Sequence, residues 1–262
     1  MWIKIKEHVD DCFMTHSVLI FVPTYNEREN VERLYAELVI LPVEADLLFL
    51  DDNSPDGTGG LLDAIAARDS RVSVIHRSGK LGIGSAHQVG IRYGYDHGYQ
   101  YLVTMDCDFT HPPSYIPDFL EHAKTCDVVV GSRYMSKESL SDWNWYRKFL
   151  THLGHFLTSL LLKMPYDASG AFRVYSLAGI DPRVFGRVRS MSYSFFFESL
   201  CLLCMNGARV EEIPISLPKR TYGHSKMRLS DIVGSLKKLM ALWWRFRVSP
   251  EDCIVTRPRG GV

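Results

Sequence analysis

The 262-residue sequence has few of the features that mark a secreted, membrane-spanning or disordered chain. Its six cysteines are scattered and lack the density of a disulfide framework. No run reaches the roughly 18 to 20 apolar residues that a transmembrane helix requires, and no apolar run with a small-residue cleavage site opens the chain. With 46% hydrophobic residues, the sequence is not that of a disordered chain. We therefore expect a folded protein of the reducing cytoplasm.

Net charge is also absent, but the balance hides a division between the two halves of the chain. Residues 1–130 carry 10 Lys and Arg against 20 Asp and Glu, whereas residues 131–262 carry 20 against 10. An acidic half suits a bound cation, and a basic half suits an anion or an anionic surface. Solvated surface charge would give the same counts, so composition alone leaves both interpretations open.

Short apolar runs alternate with helical patterns in the first half. The predicted strands are 17–22, 46–50, 72–76, 101–105 and 127–130, and the predicted helices are 26–41, 57–68, 82–97 and 113–124. Runs that are apolar on both faces favour a parallel sheet covered by helices on each side. Asn26, followed three residues later by Glu29, predicts a capping box for the first helix. The pattern therefore predicts an α/β fold with an open, twisted, mostly parallel sheet.

After residue 131 the pattern changes to helices at 145–163 and 193–206, a short strand at 208–214 and a terminal amphipathic helix at 230–248. Between residues 219 and 247, eight basic residues accompany a single acidic one, Asp231. The apolar side of this segment consists of Leu236, Leu239, Met240, Trp243, Trp244 and Phe246. Such a helix is typical of one that lies on an anionic membrane. A helix packed on the core, with a basic outer face, is the alternative.

Two of the predicted strands lead into carboxylates. The first cluster contains Asp51, Asp52 and Asp56 among turn-forming residues, and a simple turn is the alternative there. The second strand leads into Asp106 and Asp108. Alternate residues of an extended segment point to the same side, so these two carboxylates converge while Cys107 turns away. Such a pair can hold Mg²⁺ or Mn²⁺ and leave coordination positions for water and a diphosphate.

The segment Gly82-Ile83-Gly84-Ser85-Ala86-His87 is superficially similar to a dinucleotide-binding fingerprint. His87 occupies the position of the third small residue, which argues against an NAD site and against an oxidoreductase. The glycines still predict a loop that opens a helix, with backbone amides facing a phosphate.

Taken in order, the motifs resemble those of inverting family 2 glycosyltransferases with the Rossmann-like GT-A fold, and among these the polyprenyl-phosphate (dolichyl-phosphate) mannosyltransferases. They are PTYNEREN at 23–30, DDNSPDGT at 51–58, GKLGIG at 79–84, MDCD at 105–108, HPP at 111–113, GSRY at 131–134, DASGAFR at 167–173, Glu198, and RTYGHSKM at 220–227. The resemblance covers residues 17–247. Two positions depart from the family pattern. Thr110 stands where the family often has Gln, and Ser169 stands where it has Thr.

The resemblance implies a role for each matching residue. Residues Pro23, Tyr25, Glu27, Asp52 and Asp106 would contact the nucleotide sugar, and Asp106 and Asp108 would hold Mg²⁺ or Mn²⁺. Residues Arg133, Arg147, Thr151, Arg220 and Lys226 would bind the acceptor phosphate. The catalytic residues would be Asp106, Asp108 and Arg133. The implied organisation is an N-terminal extension (1–16), a GT-A domain (17–228) with a nucleotide-sugar half (17–130) and an acceptor half (131–228), a membrane-associating helix (229–248) and a tail (249–262).

The implied reaction is inverting transfer of a hexose, with mannose from GDP-mannose preferred, to a polyprenyl phosphate. It would take place at the cytoplasmic face of a membrane, with the protein attached peripherally. A phosphate monoester has its second pKa at about 6, so the acceptor is already ionised and requires no general base. The alternatives are UDP-glucose as donor, a saccharide acceptor that would need a carboxylate base, and a non-catalytic nucleotide-binding scaffold. No nucleic-acid partner is expected.

Overall fold

The computed structural model describes residues 16–135, 139, 145–216 and 229–255, and of residues 146, 147 and 229–233 it describes the backbone only. The strands in these residues are β1 (Val18–Thr24), β2 (Ala45–Asp51), β3 (Val72–His76), β4 (Tyr101–Thr104), β5 (Val128–Ser132), β6 (Arg173–Ser176) and β7 (Val210–Pro214). The α-helices are α1 (Arg28–Val39), α2 (Thr58–Ala66), α3 (Ile83–Asp96), α4 (Ile116–His122), α5 (Trp145–Leu162), α6 (Pro182–Phe185), α7 (Ser194–Met205) and α8 (Leu229–Val248).

The strands form one sheet with the order β3-β2-β1-β4-β6-β5-β7. All neighbouring strands are parallel except at β6, which is antiparallel to both β4 and β5. The predicted α/β fold with an open, mostly parallel sheet is therefore confirmed. Because β6 runs in the opposite direction, the residues before it lie at the same edge of the sheet as the residues after β4 and β5.

Both faces of the sheet are covered, as the continuous apolar runs predict. In β1, Leu19 and Phe21 belong to a core that includes residues of α3 and α7, whereas Val18, Ile20 and Val22 belong to a second core with residues of α1, α2 and α4. All five side chains are at most 7% exposed. A strand that alternates between two apolar layers needs apolar residues at every position.

Two local expectations require correction. Strand β6 was not predicted, because it has only four residues and begins with a charged one, Arg173. The capping box at Asn26 is wrong, since α1 begins at Arg28 and no side chain caps it at Glu27. Asn26 instead adopts a left-handed backbone with φ of 56°, and its amide donates to Ser54 Oγ at 2.9 Å. Asn tolerates this conformation better than most residues do.

Helix α8 packs on the body of the protein through one side. Leu239 and Leu242 are each 5% exposed, and Arg245 donates to the buried carboxylate of Glu198 on α7 at 3.1 Å. A second row on the same helix, Leu236, Met240 and Trp244, is exposed. The helix therefore combines a core-packed side with an apolar outer side. None of the helices in the described part of the chain has the length and apolar content of a membrane-spanning segment.

Candidate active site

Four parallel strands end at one edge of the sheet, and the predicted site residues follow them. Strands β1 and β2 end in register at Thr24 and Asp51, and β4 and β5 end on either side of β6. The first residue of β6, Arg173, pairs with Thr104 of β4 and Val130 of β5. Asp106 and Arg133 therefore leave the sheet on opposite sides of one strand. Ligands of open α/β sheets bind at such an edge.

The three carboxylates of the first acidic cluster, Asp51, Asp52 and Asp56, have different roles. Asp51 forms a turn, since it accepts from the Ser54 hydroxyl at 2.5 Å and from the Ser54 amide at 3.0 Å. Asp56 accepts from the amide and the hydroxyl of Thr58, at 3.0 and 2.6 Å, and so fixes the start of α2. The simple turn interpretation therefore holds for these two carboxylates. It does not account for the third, Asp52.

Asp52 is held by an arginine that the sequence motifs did not single out. Arg77, just after β3, donates to both carboxylate oxygens of Asp52, with Nη2 to Oδ2 at 2.7 Å. Both side chains are at most 9% exposed. Arg77 also donates to Ser85 Oγ at 2.7 Å, which connects the pair to the start of α3. A bidentate pair of this kind fixes the orientation of both side chains.

The other residues expected to contact the nucleotide lie at the end of β1 and just after it. Pro23 and Tyr25 are half-buried, and the Lys80 ammonium lies 4.6 Å from the centre of the Tyr25 ring. Glu27 is also half-buried, and its amide donates to Thr58 Oγ1 at 3.0 Å. The motif residues 23–27 are thus connected to the start of α2 and to the loop that contains Lys80.

Asp106 and Asp108 follow β4, and Cys107 between them is buried. The Asp106 amide donates to His111 Nδ1 at 2.9 Å, so this ring nitrogen is an acceptor. Asp108 is 7% exposed, and its Oδ1 accepts from the hydroxyl of Thr110 at 2.5 Å and from the Thr110 amide at 3.1 Å. Thr110, the departure from the family pattern, therefore orients one of the two carboxylates.

The residue between Asp108 and Thr110 has an unfavourable backbone. Phe109 adopts a φ of 62°, in the left-handed region that aromatic residues rarely occupy. Its buried ring lies under the Arg33 guanidinium, 4.4 Å from the ring centre. Strain of this kind is retained where the surroundings fix the chain, and it concentrates at functional sites.

Arg133 follows β5 and is held as firmly as Asp52. It donates to both oxygens of Asp167, at 2.8 and 2.7 Å, and to Ser169 Oγ at 2.5 Å. Asp167 is fully buried. Burial alone would raise the pKa of this carboxyl, but the charge and hydrogen bonds of Arg133 hold that pKa below its ordinary value. Ser169, which replaces the family's Thr, keeps the hydroxyl that this contact uses.

The two halves of the site are within electrostatic reach of each other. Burial alone would lower the pKa of Arg133, but Asp167 raises it above its ordinary value, and the charge of Asp106 adds to this effect. Thr151 lies half-buried on α5, where its carbonyl accepts from Tyr134 at 3.2 Å. The side chain of Arg147, and Arg220 and Lys226 altogether, lie outside the described residues.

The start of α3 differs from the expectation of a phosphate-facing loop. The Ser85 amide donates to the carbonyl of Met191 at 3.2 Å. A Cβ atom on Gly82 would lie only 2.3 Å from that carbonyl oxygen, and one on Gly84 would lie 2.6 Å from Phe195 Cβ. The glycines therefore permit close approach of the segment around Met191. At Ser85 this carbonyl takes the place that was expected for a phosphate.

Glu198 of the family pattern lies in an apolar helix, where a lone carboxylate is costly. It accepts from Arg245 and from the amides of Arg189 and Ser190, the two amide contacts at 3.1 and 2.9 Å. The ion pair with Arg245 connects α7 to α8 rather than to the sheet edge.

Known proteins share sequence with this chain over most of its length. The model of glycosyl transferase family 2 matches residues 19–186. The undecaprenyl-phosphate mannosyltransferase of Micrococcus luteus is 34% identical over 227 residues, covering 86% of this chain and 93% of the relative. The polyprenol monophosphomannose synthase of Mycolicibacterium smegmatis is 33% identical over 228 residues, covering 86% of each chain.

A solved structure shares the fold at low identity. Glucosyl-3-phosphoglycerate synthase from Mycobacterium tuberculosis, crystallised with Mn²⁺, UDP-glucose and phosphoglyceric acid, superimposes with a TM-score of 0.60 at 16% identity. The match covers 91% of this chain and 80% of that one. The chain is therefore a glycosyltransferase of family 2, similar to the polyprenyl-phosphate mannosyltransferases.

Proposed function

We propose that the protein transfers mannose from GDP-mannose to a polyprenyl phosphate, with inversion at the anomeric carbon. The observation that carries the proposal is the placement of Asp106 and Arg133 on opposite sides of β6 at one edge of the sheet. An acidic group that suits a metal-bound diphosphate thus lies near a cation that suits a phosphate. The names of the two mannosyltransferase relatives support the choice of sugar and of acceptor.

The donor would bind over the ends of β1 and β2. Tyr25 offers a ring for stacking, and Asp52, held by Arg77, offers carboxylate oxygens in a fixed orientation. Pro23 and Glu27 complete the nucleoside side of the proposed site. Groups that are already held lose little conformational entropy when the donor binds.

A divalent ion, Mg²⁺ or Mn²⁺, fits the chemistry of Asp106 and Asp108. Both provide the hard oxygen ligands that these ions prefer. In the part of the chain that the structure describes, no three His, Cys, Asp or Glu side chains form a group able to hold a metal. Diphosphate oxygens and water would complete the coordination. When bound, the ion stabilises the negative charge of the departing nucleoside diphosphate.

The acceptor phosphate would lie on the Arg133 side. Asp167 and Ser169 fix the Arg133 guanidinium, which keeps its charge at any physiological pH. Thr151 and the side chains of Arg147, Arg220 and Lys226 would complete this subsite. Since the acceptor oxygen is ionised, the task of these residues is to position it in line with the anomeric carbon. This arrangement explains why no carboxylate base is required.

The direct test is label transfer into an organic phase. Purified protein is incubated with radiolabelled GDP-mannose or UDP-glucose, polyprenyl phosphate and Mg²⁺ or Mn²⁺. We expect mannose in the lipid fraction, and no transfer by Asp108→Ala or Arg133→Ala. Asp118→Ala, which removes an exposed carboxylate on α4, should transfer normally. Label from UDP-glucose alone would reassign the donor, and label on an added saccharide alone would reassign the acceptor. An α-linked product from the α-linked donor would contradict inversion.

We also propose that α5 and α8 attach the protein to an anionic membrane. Helix α5, which packs against α8, exposes five apolar side chains: Trp145, Phe149, Leu153, Phe156 and Leu160. On α8 the exposed row of Leu236, Met240 and Trp244 is accompanied by exposed Lys237 and Arg247. Apolar surface with neighbouring basic residues is what binding to an anionic lipid surface requires.

Flotation with vesicles of phosphatidylcholine and phosphatidylglycerol tests the attachment. We expect the protein to float with the vesicles and high salt to weaken the binding, because attraction to the charged surface is screened. Trp244→Glu and Phe156→Glu should reduce flotation. Ile40→Glu is the matched control, because Ile40 is 79% exposed at the end of α1. Equal flotation of all three variants, or none of the wild type, would contradict the proposal.

A further inference from the structure

One buried cation beside the active site has no counter-charge among the described residues. Arg173, the first residue of β6, is 0% exposed. Its hydrogen bonds go to neutral oxygens: Nη2 to the carbonyl of Ala168 at 2.9 Å, and Nη1 to the hydroxyls of Ser199 and Tyr175 at 3.3 and 3.4 Å. Its Nε is buried without an acceptor in the described part of the chain. A buried charge that lacks an ionic partner is costly.

The described side chains around Arg173 supply no negative charge. His87 is fully buried between Phe21, Phe195 and Phe196. Burial lowers the pKa of His87 to about 3, so this ring is neutral at pH 7 and adds no repulsion. The Phe196 ring lies 5.7 Å from the guanidinium carbon of Arg173 and provides a weak cation–π attraction. These neutral contacts offset only part of the cost of burying the charge.

The hydrogen bond from Arg173 to the Ala168 carbonyl connects Arg173 to the active site. Ala168 lies between Asp167 and Ser169, the two residues that hold Arg133. The same loop is fixed from the opposite side, since the Asp167 amide donates to Glu212 on β7 at 2.6 Å. Arg173 therefore contacts the same short loop, 167–170, that holds the Arg133 guanidinium.

We propose that Arg173 is a positioning residue for the transfer reaction, which holds the loop 167–170 and through it the guanidinium of Arg133. The protein keeps a buried charge here because a rigid, multiply donating side chain is needed to fix a carbonyl next to Asp167. This inference rests on the proposed acceptor role of Arg133. Displacements of about 1 Å in a positioning group can reduce catalysis about 100-fold.

The proposal predicts that activity and stability respond differently to one substitution. Arg173→Met removes the buried charge but also leaves the Ala168 carbonyl without its donor, so the two effects oppose each other and the midpoint of urea unfolding should change little. The ratio kcat/KM for the acceptor should fall about 10- to 100-fold, whereas KM for the donor should change less than about twofold. Arg173→Lys should recover part of the activity. Arg92→Met, which removes an exposed arginine of α3, is the control and should behave as the wild type.

A measurement without substrate separates this proposal from the proposed function. The amides of Arg133 and Ser169 both donate to Asp167, so their hydrogen exchange reports on the loop. In Arg173→Met we expect faster exchange at these two amides and unchanged exchange at Leu102 in β4. A wild type without transfer activity would contradict the proposed function, while this exchange result would still test the positioning of the loop.

A double-mutant cycle tests whether Arg173 acts through Arg133. If Arg173 acts through Arg133, then Arg173→Met should reduce transfer much less in an Arg133→Lys background than in the wild type. Fully additive losses would overturn the proposal, as would unchanged exchange at Arg133 and Ser169. Faster exchange with normal kinetics would also overturn it, because the loop would then be irrelevant to the reaction. Should Arg173→Met not fold, Arg173→Gln, which keeps N–H donors without a charge, decides by the same measurements.

Discussion

Two buried arginine–aspartate pairs lie at the same edge of the sheet, and they differ in what they connect. Arg77 and Asp52 join the ends of β3 and β2, and Arg77 continues to Ser85 at the start of α3. Arg133 and Asp167 join the end of β5 to the loop before β6. The side chains of the first pair are 8% and 9% exposed, whereas in the second pair Arg133 is 14% exposed and Asp167 is not exposed at all.

The comparison shows how each half of the site is prepared. In both pairs one member, Asp52 or Arg133, is a proposed substrate contact, and the other member fixes it. Each pair has no net charge, so its contribution is orientation rather than long-range attraction. The first pair belongs to a network that extends to α3, and the second joins the end of β5 to the loop 167–170 through a fully buried carboxylate. The second pair should therefore tolerate the loss of a partner less well.

The largest expected effect is at the second pair. Asp167→Ala removes the carboxylate that accepts from the Arg133 guanidinium and from the amides of Arg133 and Ser169, and loss of one partner of a buried ion pair typically costs about 3–5 kcal/mol. We expect the free energy of unfolding, measured by urea denaturation, to fall by about that amount, and mannosyl transfer to be lost. The double variant Arg133→Met, Asp167→Leu removes both charges and should recover most of the stability but none of the activity. A double variant as unstable as Asp167→Ala would show that the unpaired charge of Arg133 is not the cause of the instability.

A smaller effect is expected at the first pair. Arg77→Met leaves Asp52 without its ion partner but deprives no backbone amide of its acceptor, so we expect a smaller loss of about 1–3 kcal/mol in the free energy of unfolding. KM for the donor should rise about tenfold, which corresponds to about 1.4 kcal/mol of binding, while KM for the acceptor stays unchanged. Arg92→Met, which removes an exposed arginine paired with Asp96 on α3, should alter neither constant. If acceptor binding weakened instead, the assignment of the two pairs to two substrates would be wrong.

The sequence was sufficient for the parts of the fold that repeat a regular pattern. Strands β1 to β4 and helices α1 to α3 follow from apolar periodicity, because burial on both faces requires apolar residues at successive positions. Strand β6 could not be predicted, because it has only four residues and begins with the charged Arg173. Its apolar run is too short to be recognised as a strand. Without β6 the sequence could not show that Asp106 and Arg133 lie on opposite sides of one strand.

For the site, the motifs predicted which residues matter but not what holds them. The partners of Asp52 and Arg133 lie 25 and 34 positions further along the chain. No local pattern connects such residues, because their contact depends on which strand ends become neighbours in the sheet. The motif that contains Asp167 was identified by resemblance, yet its role in holding Arg133 emerges only from the fold. Arg77 belonged to no motif at all.

A pH titration sharpens the comparison at the second pair. The pKa of Asp167 lies below its ordinary value in the folded protein, so its contribution to stability is present above the unfolded value of about 3.9 and is lost as pH falls through the folded value. Hydrogen bonds from Arg71 lower the pKa of Asp69 to about 2, so this residue acts over the same range. Between pH 4 and 2, Asp167→Asn should therefore reduce, but not abolish, the acid dependence of the unfolding free energy, by up to about 1.4 kcal/mol per pH unit. If the unfolding free energy of the variant and of the wild type changed equally with pH, Asp167 would contribute nothing to the acid dependence of stability.

The smallest effect concerns an aspartate at the same edge with a neutral partner. Asp108 accepts from the Thr110 hydroxyl, and a hydrogen bond from a neutral donor to a carboxylate is worth about 1.5–3 kcal/mol, less than the loss from breaking a buried ion pair. Thr110→Val keeps the shape and the amide contact but removes the hydroxyl, so the Mn²⁺ concentration for half-maximal transfer should rise about tenfold. Thr110→Ser should behave as the wild type, and so should Thr125→Val, whose hydroxyl contacts only the carbonyl of His122. If Thr110→Val required no more metal than Thr110→Ser, the hydroxyl would not orient Asp108, and only charged partners would prepare this edge of the sheet for its substrates.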